Sequence, residues 1–448
     1  MHNWKEWYDK HHNDIKNDFF KFLQIPSVGT DPKFKKQTIE AAHFLRDYLL
    51  KIGLDVELWE TEKFPIVFGS YYAGEGRPTL LLYNHYDVQP VDPLELWKSP
   101  PFEPTVREGK IYARGAVDNK GQCFYTLTAI RAWLELSKEK NLNLKVFIEG
   151  EEESGSHATE AVLQHHQQAL EADHLLIVDV DIPDRNTPAV TVGVRGIMSL
   201  EVICQNAAAD LHSGVHGGIA LNPNRILSGL LAGLWNDKGQ VTLHGFYDGV
   251  EPPPEIDFPF NEHLYKKKFG VGALCYESGY TVGQTGGVRP TLEINGMIGG
   301  YTGEGFKTII PAKASAKLSC RLVPGQDPAK IFSLIKTYFI SNAPPGCKME
   351  VIDYGGSVAY RSDIDSSLVK TVAMSYEEVF GCPCSCLFCG ASIPLIVKLA
   401  EVSRANVALI GMGLAEDGIH APNEHFDWER FEKGFLVIST ILNRLGGA

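Results

Sequence analysis

The run Pro-Thr-Leu-Leu-Leu-Tyr-Asn-His-Tyr-Asp at residues 78–87 decides the fold. Leu80 through Tyr83 are apolar without alternation, so both faces of the segment must be covered. The run is short and bounded by polar residues, which reads as an inner strand of a sheet layered by helices. It turns polar abruptly, with His85 and Asp87 directly beyond the apolar stretch. Three further runs repeat the pattern. LKVFIEG (144–150) leads into Glu151, Glu152 and Glu153, HLLIV (174–178) into Asp179, and NVALIGMG (406–413) into a loop carrying His420. Amphipathic stretches such as Gln122 to Leu136 lie between the runs, and the alternation predicts an α/β domain.

In open α/β sheets, ligands collect beyond the carboxyl ends of the strands. His85, Asp179, His420 and the Glu151–Glu153 turn therefore converge on one crevice. Asp118 joins them from RGAVDNKG (114–121), just ahead of a helix. Two imidazoles and three carboxylates suit zinc, manganese or cobalt, and they lack the thiolates of a closed structural zinc site. Five donors leave positions open unless one carboxylate bridges, and open positions are what catalysis needs. A hydrolytic pair of ions roughly 3.5–4 Å apart lowers the pKa of a water and polarises a carbonyl. Plainer readings remain: Asp118 as a helix cap, and the three glutamates as a solvated acidic turn.

From about Gly196 the pattern changes. The order becomes strand (MSLEVICQ, 198–205), helix (Asn222 to Leu234), two strands (PTLEINGMIGG and AKASAKLSCRLV), helix (Asp327 to Ile340) and strand (CKMEVIDY), as in a ferredoxin-like α+β unit. The first style returns after about residue 358. Residues 1–196 and 358–448 are thus expected to form one domain, with 197–357 inserted as a second.

The chain has 448 residues and a formal net charge of −13, without the basic footprint that nucleic acid or anionic lipid demands. No apolar stretch approaches a bilayer span and the N-terminus has no apolar signal core, so a cytoplasmic protein is expected. Nine cysteines without a secretion signal argue against a disulfide framework. Cys382, Cys384, Cys386 and Cys389 stand close together, either as small residues flanking a pocket or as a separate metal site.

HYDVQP (85–90), ARGAVDNKG (113–121), EGEEESGS (149–156), DLHSGVHGG (210–218) and HAPNEH (420–425) together resemble the co-catalytic zinc peptidases that include carnosinases, carboxypeptidase G, aminoacylase and acetylornithine deacetylase. HGFYDGVEP (244–252) and KTIIPAKASAKLSCRLVPGQ (307–326) look most like the carnosinase or cytosolic dipeptidase branch. The resemblance implies a zinc-peptidase-like catalytic domain, with a central mixed sheet covered by helices, and an inserted ferredoxin-like lid and dimerisation domain. It implies two divalent metal ions, zinc foremost with manganese or cobalt as alternatives. His85, Asp118 and Asp179 would hold one ion, and Asp118, Glu153 and His420 the other. Glu152 would be the general base and Asp87 the residue steadying His85. His212 would reach the active site of a partner subunit, making the protein a homodimer. Arg321, Thr308, Gly390, Ala391 and Ser392 would contact substrate.

The implied activity is hydrolysis of the amide bond of a dipeptide or short peptide. Deacylation of N-acyl amino acids, or a non-catalytic metal-binding or scaffold role, are the alternatives. One departure stands out: many relatives carry an Arg-Glu pair before Gly-Gly-Ser-Ile-Pro. Here the segment reads Leu387-Phe388-Cys389-Gly390-Ala391-Ser392-Ile393-Pro394, and it is expected to line the pocket.

Overall fold

The computed structural model describes residues 3–447 except 257 and 259. It divides into two compact units: residues 1–192, 362–387 and 395–448 form the first, and residues 193–361 with 388–394 the second. The breaks expected at 196/197 and 357/358 thus fall at 192/193 and 361/362. The short segment 388–394 groups with the second unit.

The first unit is built on a mixed sheet. Seven of its nine strands are β1 (Asp55–Trp59), β2 (Ile66–Tyr71), β3 (Thr79–His85), β4 (Asn143–Glu149), β5 (His174–Val178), β6 (Ala189–Val194) and, late in the chain, Asn406–Ile410. The spatial order is β1-β2-β4-β3-β5, then the Asn406–Ile410 strand, then β6. The four inner strands, β4, β3, β5 and Asn406–Ile410, are mutually parallel, while β1, β2 and β6 join antiparallel. This explains the unalternating apolar runs: Leu80, Leu81 and Leu82 of β3, and Leu175 to Val178 of β5, are all fully buried. Parallel pairing also brings the ends of β3, β5 and Asn406–Ile410 to one edge, which delivers His85 and Asp179 side by side.

Helix Lys120–Leu136 packs on β3, and helix Lys35–Lys51 on β1 and β2. Helices Trp4–Leu23 and Trp428–Leu445 add an aromatic layer in which Phe19 lies 5.4 Å from Phe124 and 5.2 Å from Phe431.

The second unit carries four antiparallel strands: β7 (Gly196–Gln205), β8 (Thr291–Gly299), β9 (Lys313–Leu322) and β10 (Lys348–Ser357), in the order β8-β9-β7-β10. Strict alternation puts Met198, Leu200, Val202, Leu318, Cys320 and Leu322 on one face. There they pack with Leu227 and Leu231 of helix Pro223–Ala232 and Ile331, Ile335 and Phe339 of helix Pro328–Ser341. The opposite face keeps Ile197, Ser199, Glu201, Lys317, Ser319 and Arg321. A two-residue ribbon pairs Leu211–His212 with Ile309–Ile310.

Candidate metal centre

His85 closes β3 and is fully buried. Its Nδ1 lies 3.1 Å from the Asp87 carbonyl and 3.3 Å from Asp87 Oδ1. A proton on Nδ1 shared with Asp87 leaves the Nε2 lone pair as the outward donor. Nε2 stands 3.2 Å from Asp118 Oδ1 and 3.5 Å from Asp179 Oδ1. The other oxygen of Asp118 lies 2.9 Å from His420 Nε2, which is also 3.3 Å from Glu153 Oε2. Two donor triads result, His85–Asp118–Asp179 and Asp118–Glu153–His420, sharing one carboxylate. Asp118 does not cap the helix that follows. The N-cap position belongs to Asn119, which makes no side-chain cap bond.

The three glutamates have three different surroundings. Glu151 is turned away from the cluster: its Oε2 accepts from the Ala158 and Thr159 N–H groups at the start of helix His157–Leu163, and its Oε1 pairs with Lys63 at 3.4 Å. Glu153 faces His420 and is held by Gln89 Nε2 at 2.8 Å. Glu152 lies between them, and its carboxylate has no hydrogen bond or ion pair among the described residues. Asp87 fixes this turn by accepting from the N–H groups of Glu152 (3.2 Å) and Glu153 (3.1 Å).

Three supports were not legible as site residues in the sequence. Buried Glu424 pairs with Arg114 at 2.7 Å and accepts the N–H groups of Gly115, Val117 and Asp118, which shapes the loop presenting Asp118. Asn119 donates to Asp179 Oδ1 at 2.7 Å. Gln89 holds Glu153 as described. The one sequence signal was proximity, since each lies within four residues of a candidate ligand.

Electrostatics show what the cluster lacks. Burial pushes Glu153 up to about 7, with Asp118 adding and the His420 bond opposing. Burial lifts Glu152 well above the usual carboxylate range, aided by Asp179, Glu153 and Asp118 against the pull of His85. Asp118 pays the burial cost, but its bonds to His420 and His85 outweigh it and hold its carboxyl below its ordinary value. Bonds to Asp118 and Glu153 carry His420 up to about 10. Acids are crowded here beyond what two imidazoles compensate, and His85 Nε2 and Glu153 Oε1 are buried without a hydrogen-bond partner. Nitrogen and carboxylate donors left in this state fit a pair of divalent cations.

Glu149, at the end of β4, belongs to the supporting layer. Its Oε1 accepts from the Tyr83 hydroxyl at 2.6 Å and from Ser156 at 2.9 Å, while Oε2 is buried without a partner. Burial pushes it up to about 7, Tyr83 opposes and Asp87 adds. The folded protein therefore holds this proton between its ordinary value and 7, where the unfolded chain releases it. Stability from this group is full below about pH 4.5 and is lost as pH rises through 7. In chelated protein, Glu149→Gln should gain about 3 kcal/mol relative to the parent between pH 4.5 and pH 8. Denaturant unfolding at both pH values reads this, and an equal difference at both rejects it.

The remaining predicted residues fall into two groups within the second unit. His212 is exposed, and its Nδ1 accepts from the Gly214 N–H at 3.0 Å. It neighbours exposed Thr308, whose carbonyl accepts from Ser213. Separately, Arg321 Nη1 donates to Ser392 Oγ at 2.8 Å, with Gly390 and Ala391 alongside. Phe388 belongs to the same segment. It stacks on Phe258 at 5.9 Å and fills the space over Gly193, where a Cβ would come within 2.6 Å of its ring. Cys382, Cys384, Cys386 and Cys389 form no metal-competent group among the described residues, and none of the nine cysteines is in a disulfide.

A mixed sheet whose parallel inner strands present two histidine–carboxylate triads around a shared aspartate defines a two-metal hydrolase. The family model for Peptidase family M20/M25/M40 matches residues 81–444, and the chain belongs to that family. Among curated proteins it is similar to the Cys-Gly metallodipeptidase dug1 of Schizosaccharomyces pombe, with 29% identity over 98% of this chain and 96% of that protein. It is also similar to the human Beta-Ala-His dipeptidase, with 28% identity over 95% of this chain and 89% of that one. Among solved structures, an M20 family metallo-carboxypeptidase, Sso-CP2 from Sulfolobus solfataricus, superposes with a TM-score of 0.86 at 30% identity, covering 96% of this chain and 99% of that one. No helix among the described residues is long and apolar enough to cross a membrane.

Proposed function

We propose that this chain is a metal-dependent dipeptidase that hydrolyses the amide bond of short peptides with a free C-terminal carboxylate. The observation that carries the reading is Asp118, whose two oxygens face separate histidines at 3.2 and 2.9 Å beside the unengaged Glu152. Both curated relatives named above are dipeptidases, which supports the substrate class.

His85, Asp118 and Asp179 would hold one ion, and Asp118, Glu153 and His420 the second, with zinc the best match to this donor set and manganese or cobalt the alternatives. When bound, such a pair acidifies a water and polarises the scissile carbonyl. Asp87 keeps His85 in one tautomer and fixes the turn of Glu152 and Glu153. Glu152 takes the proton of the attacking water and passes it to the leaving amine. Arg321 and Ser392 bind the substrate carboxylate, to which a planar guanidinium is matched, with Gly390 and Ala391 supplying backbone contacts. His212 of a second copy, with Thr308 beside it, steadies the oxyanion, so the working form is a homodimer whose second unit serves as lid and dimerisation domain. A reducing, cytoplasmic setting goes with this reading.

A second reading, a carboxypeptidase, draws on the Sulfolobus likeness. Chelated protein refilled with zinc or manganese, assayed on Cys-Gly, β-Ala-His, Ala-Ala and N-blocked Ala-Ala, separates the two. Cleavage of the free dipeptides alone is expected. Preference for the blocked peptide moves the assignment to carboxypeptidase, and no cleavage at full metal occupancy sends it to N-acyl amino acids.

A further inference from the structure

Arg195 stands in Gly193-Val194-Arg195-Gly196, at the junction just before β7, and neither the sequence motifs nor the reading above uses it. Its backbone N–H donates to the Ala391 carbonyl at 3.1 Å, and its side-chain Nε donates to the Gly390 carbonyl at 3.0 Å. Nη1 reaches the Arg289 carbonyl at 3.4 Å. One residue thus bonds two successive carbonyls of the loop that ends at Ser392. The fit is tight: a Cβ on Gly390 would meet Gly286 O at 2.7 Å and Arg195 Nη2 at 2.9 Å. Glycine at 390 is therefore required for Arg195 to reach the loop.

Arg195 also shares a sheet face with Arg321. Arg321 pairs across the ladder with Ile197, and Arg195 lies two residues ahead of Ile197 on the same strand direction. Neither guanidinium forms an ion pair among the described residues. Burial, and then the like charge of Arg321, draw Arg195 down to about 10, with Cys389 and Glu293 offsetting part of it. At neutral pH Arg195 stays charged, and the two guanidinium groups share one face without an ion-pair partner among the described residues.

We propose that Arg195 is a positioning residue for the carboxylate end of the substrate: by bonding Gly390 and Ala391 it holds Ser392 against Arg321, and it sets the preference for a free acid there. The proposal rests on the reading of Arg321 and Ser392 as carboxylate contacts. The planar fork bonds the Gly390 and Arg289 carbonyls at once, beside the backbone bond to Ala391 that any residue at 195 would keep, whereas a lysine ammonium supplies the charge without that geometry.

The test measures equilibrium binding of Ala-Ala and of its C-terminal amide to metal-loaded Glu152→Gln protein, alone and combined with Arg195→Gln, Arg195→Lys or Ser392→Ala. Arg195→Gln should weaken binding of the acid roughly 10- to 100-fold and of the amide less than about threefold. Arg195→Lys should restore little, and adding Ser392→Ala to Arg195→Gln should cost less than the two single losses combined. Unchanged metal stoichiometry in each variant shows that the chain has folded. Equal weakening of acid and amide, full rescue by lysine, additive losses, or no acid preference in the parent would each overturn the proposal. The dipeptidase reading is judged separately, by whether protein with Glu152 intact cleaves Ala-Ala. Failure there leaves the binding comparison decisive for Arg195.

Discussion

Asp118→Ala should strip the protein of both metal ions and abolish peptide hydrolysis. Each of the other four candidate ligands belongs to one triad, but Asp118 belongs to both, with Oδ1 toward His85 and Oδ2 toward His420. Loss of an outer support around a metal ligand costs roughly 10- to 100-fold in affinity or activity. Removing a donor shared by two ions must exceed that, so turnover is expected to fall by more than about 1,000-fold. Metal analysis after dialysis should read about two ions per chain in the parent and fewer than one in the variant. His420→Ala should retain the ion of the His85 triad, because His85, Asp118 and Asp179 remain. The fold should survive in both variants, since Glu424 holds the loop through the backbone N–H groups of residues 115, 117 and 118, not through the Asp118 side chain. Two ions retained by Asp118→Ala would remove the shared-ligand assignment.

The strand ends were legible because a parallel sheet writes itself as unalternating apolar runs, and polarity beyond such a run is chemically expensive unless used. That is how His85 and Asp179 stand out. The β-α-β-β-α-β order of the second unit was legible for a similar reason, through alternation such as that of Lys313–Leu322. What sequence left open was the register of a turn. Glu151, Glu152 and Glu153 are chemically identical, and only the placement of helix His157–Leu163 turns Glu151 away as its cap. Glu424, Asn119 and Arg195 were silent because they act on backbone groups or on other side chains whose position depends on distant segments. Glu424 reaches back 310 residues to Arg114, and Arg195 reaches forward 195 residues to Gly390. The packing of Phe388 was not legible either, because a sequence change in a segment does not say which neighbours each side chain meets. Its ring sits over Gly193, which has no Cβ to exclude it, and stacks on Phe258.

Glu152→Gln should leave metal binding intact and lower kcat by about 10²- to 10⁴-fold. The argument is one of exclusion among three neighbours. Glu151 is committed to the helix N-terminus and Lys63, and Glu153 to His420 and Gln89. Glu152 alone keeps a carboxylate without a partner among the described residues, at a position pinned by the bond from its own N–H to Asp87. A base that must first break a hydrogen bond before taking a proton starts at a disadvantage, and Glu152 breaks none. Its affinity for a proton is also raised by burial and by the carboxylates around it, which strengthens it as a base. Glutamine preserves size and removes only that capacity, so KM for Ala-Ala should change by less than about threefold while kcat collapses. The same substitution at Glu151 should instead act on stability, through the weakened cap, with kcat nearly unchanged. If Glu151→Gln loses turnover and Glu152→Gln keeps it, the proton is carried one residue earlier than the geometry of this turn assigns.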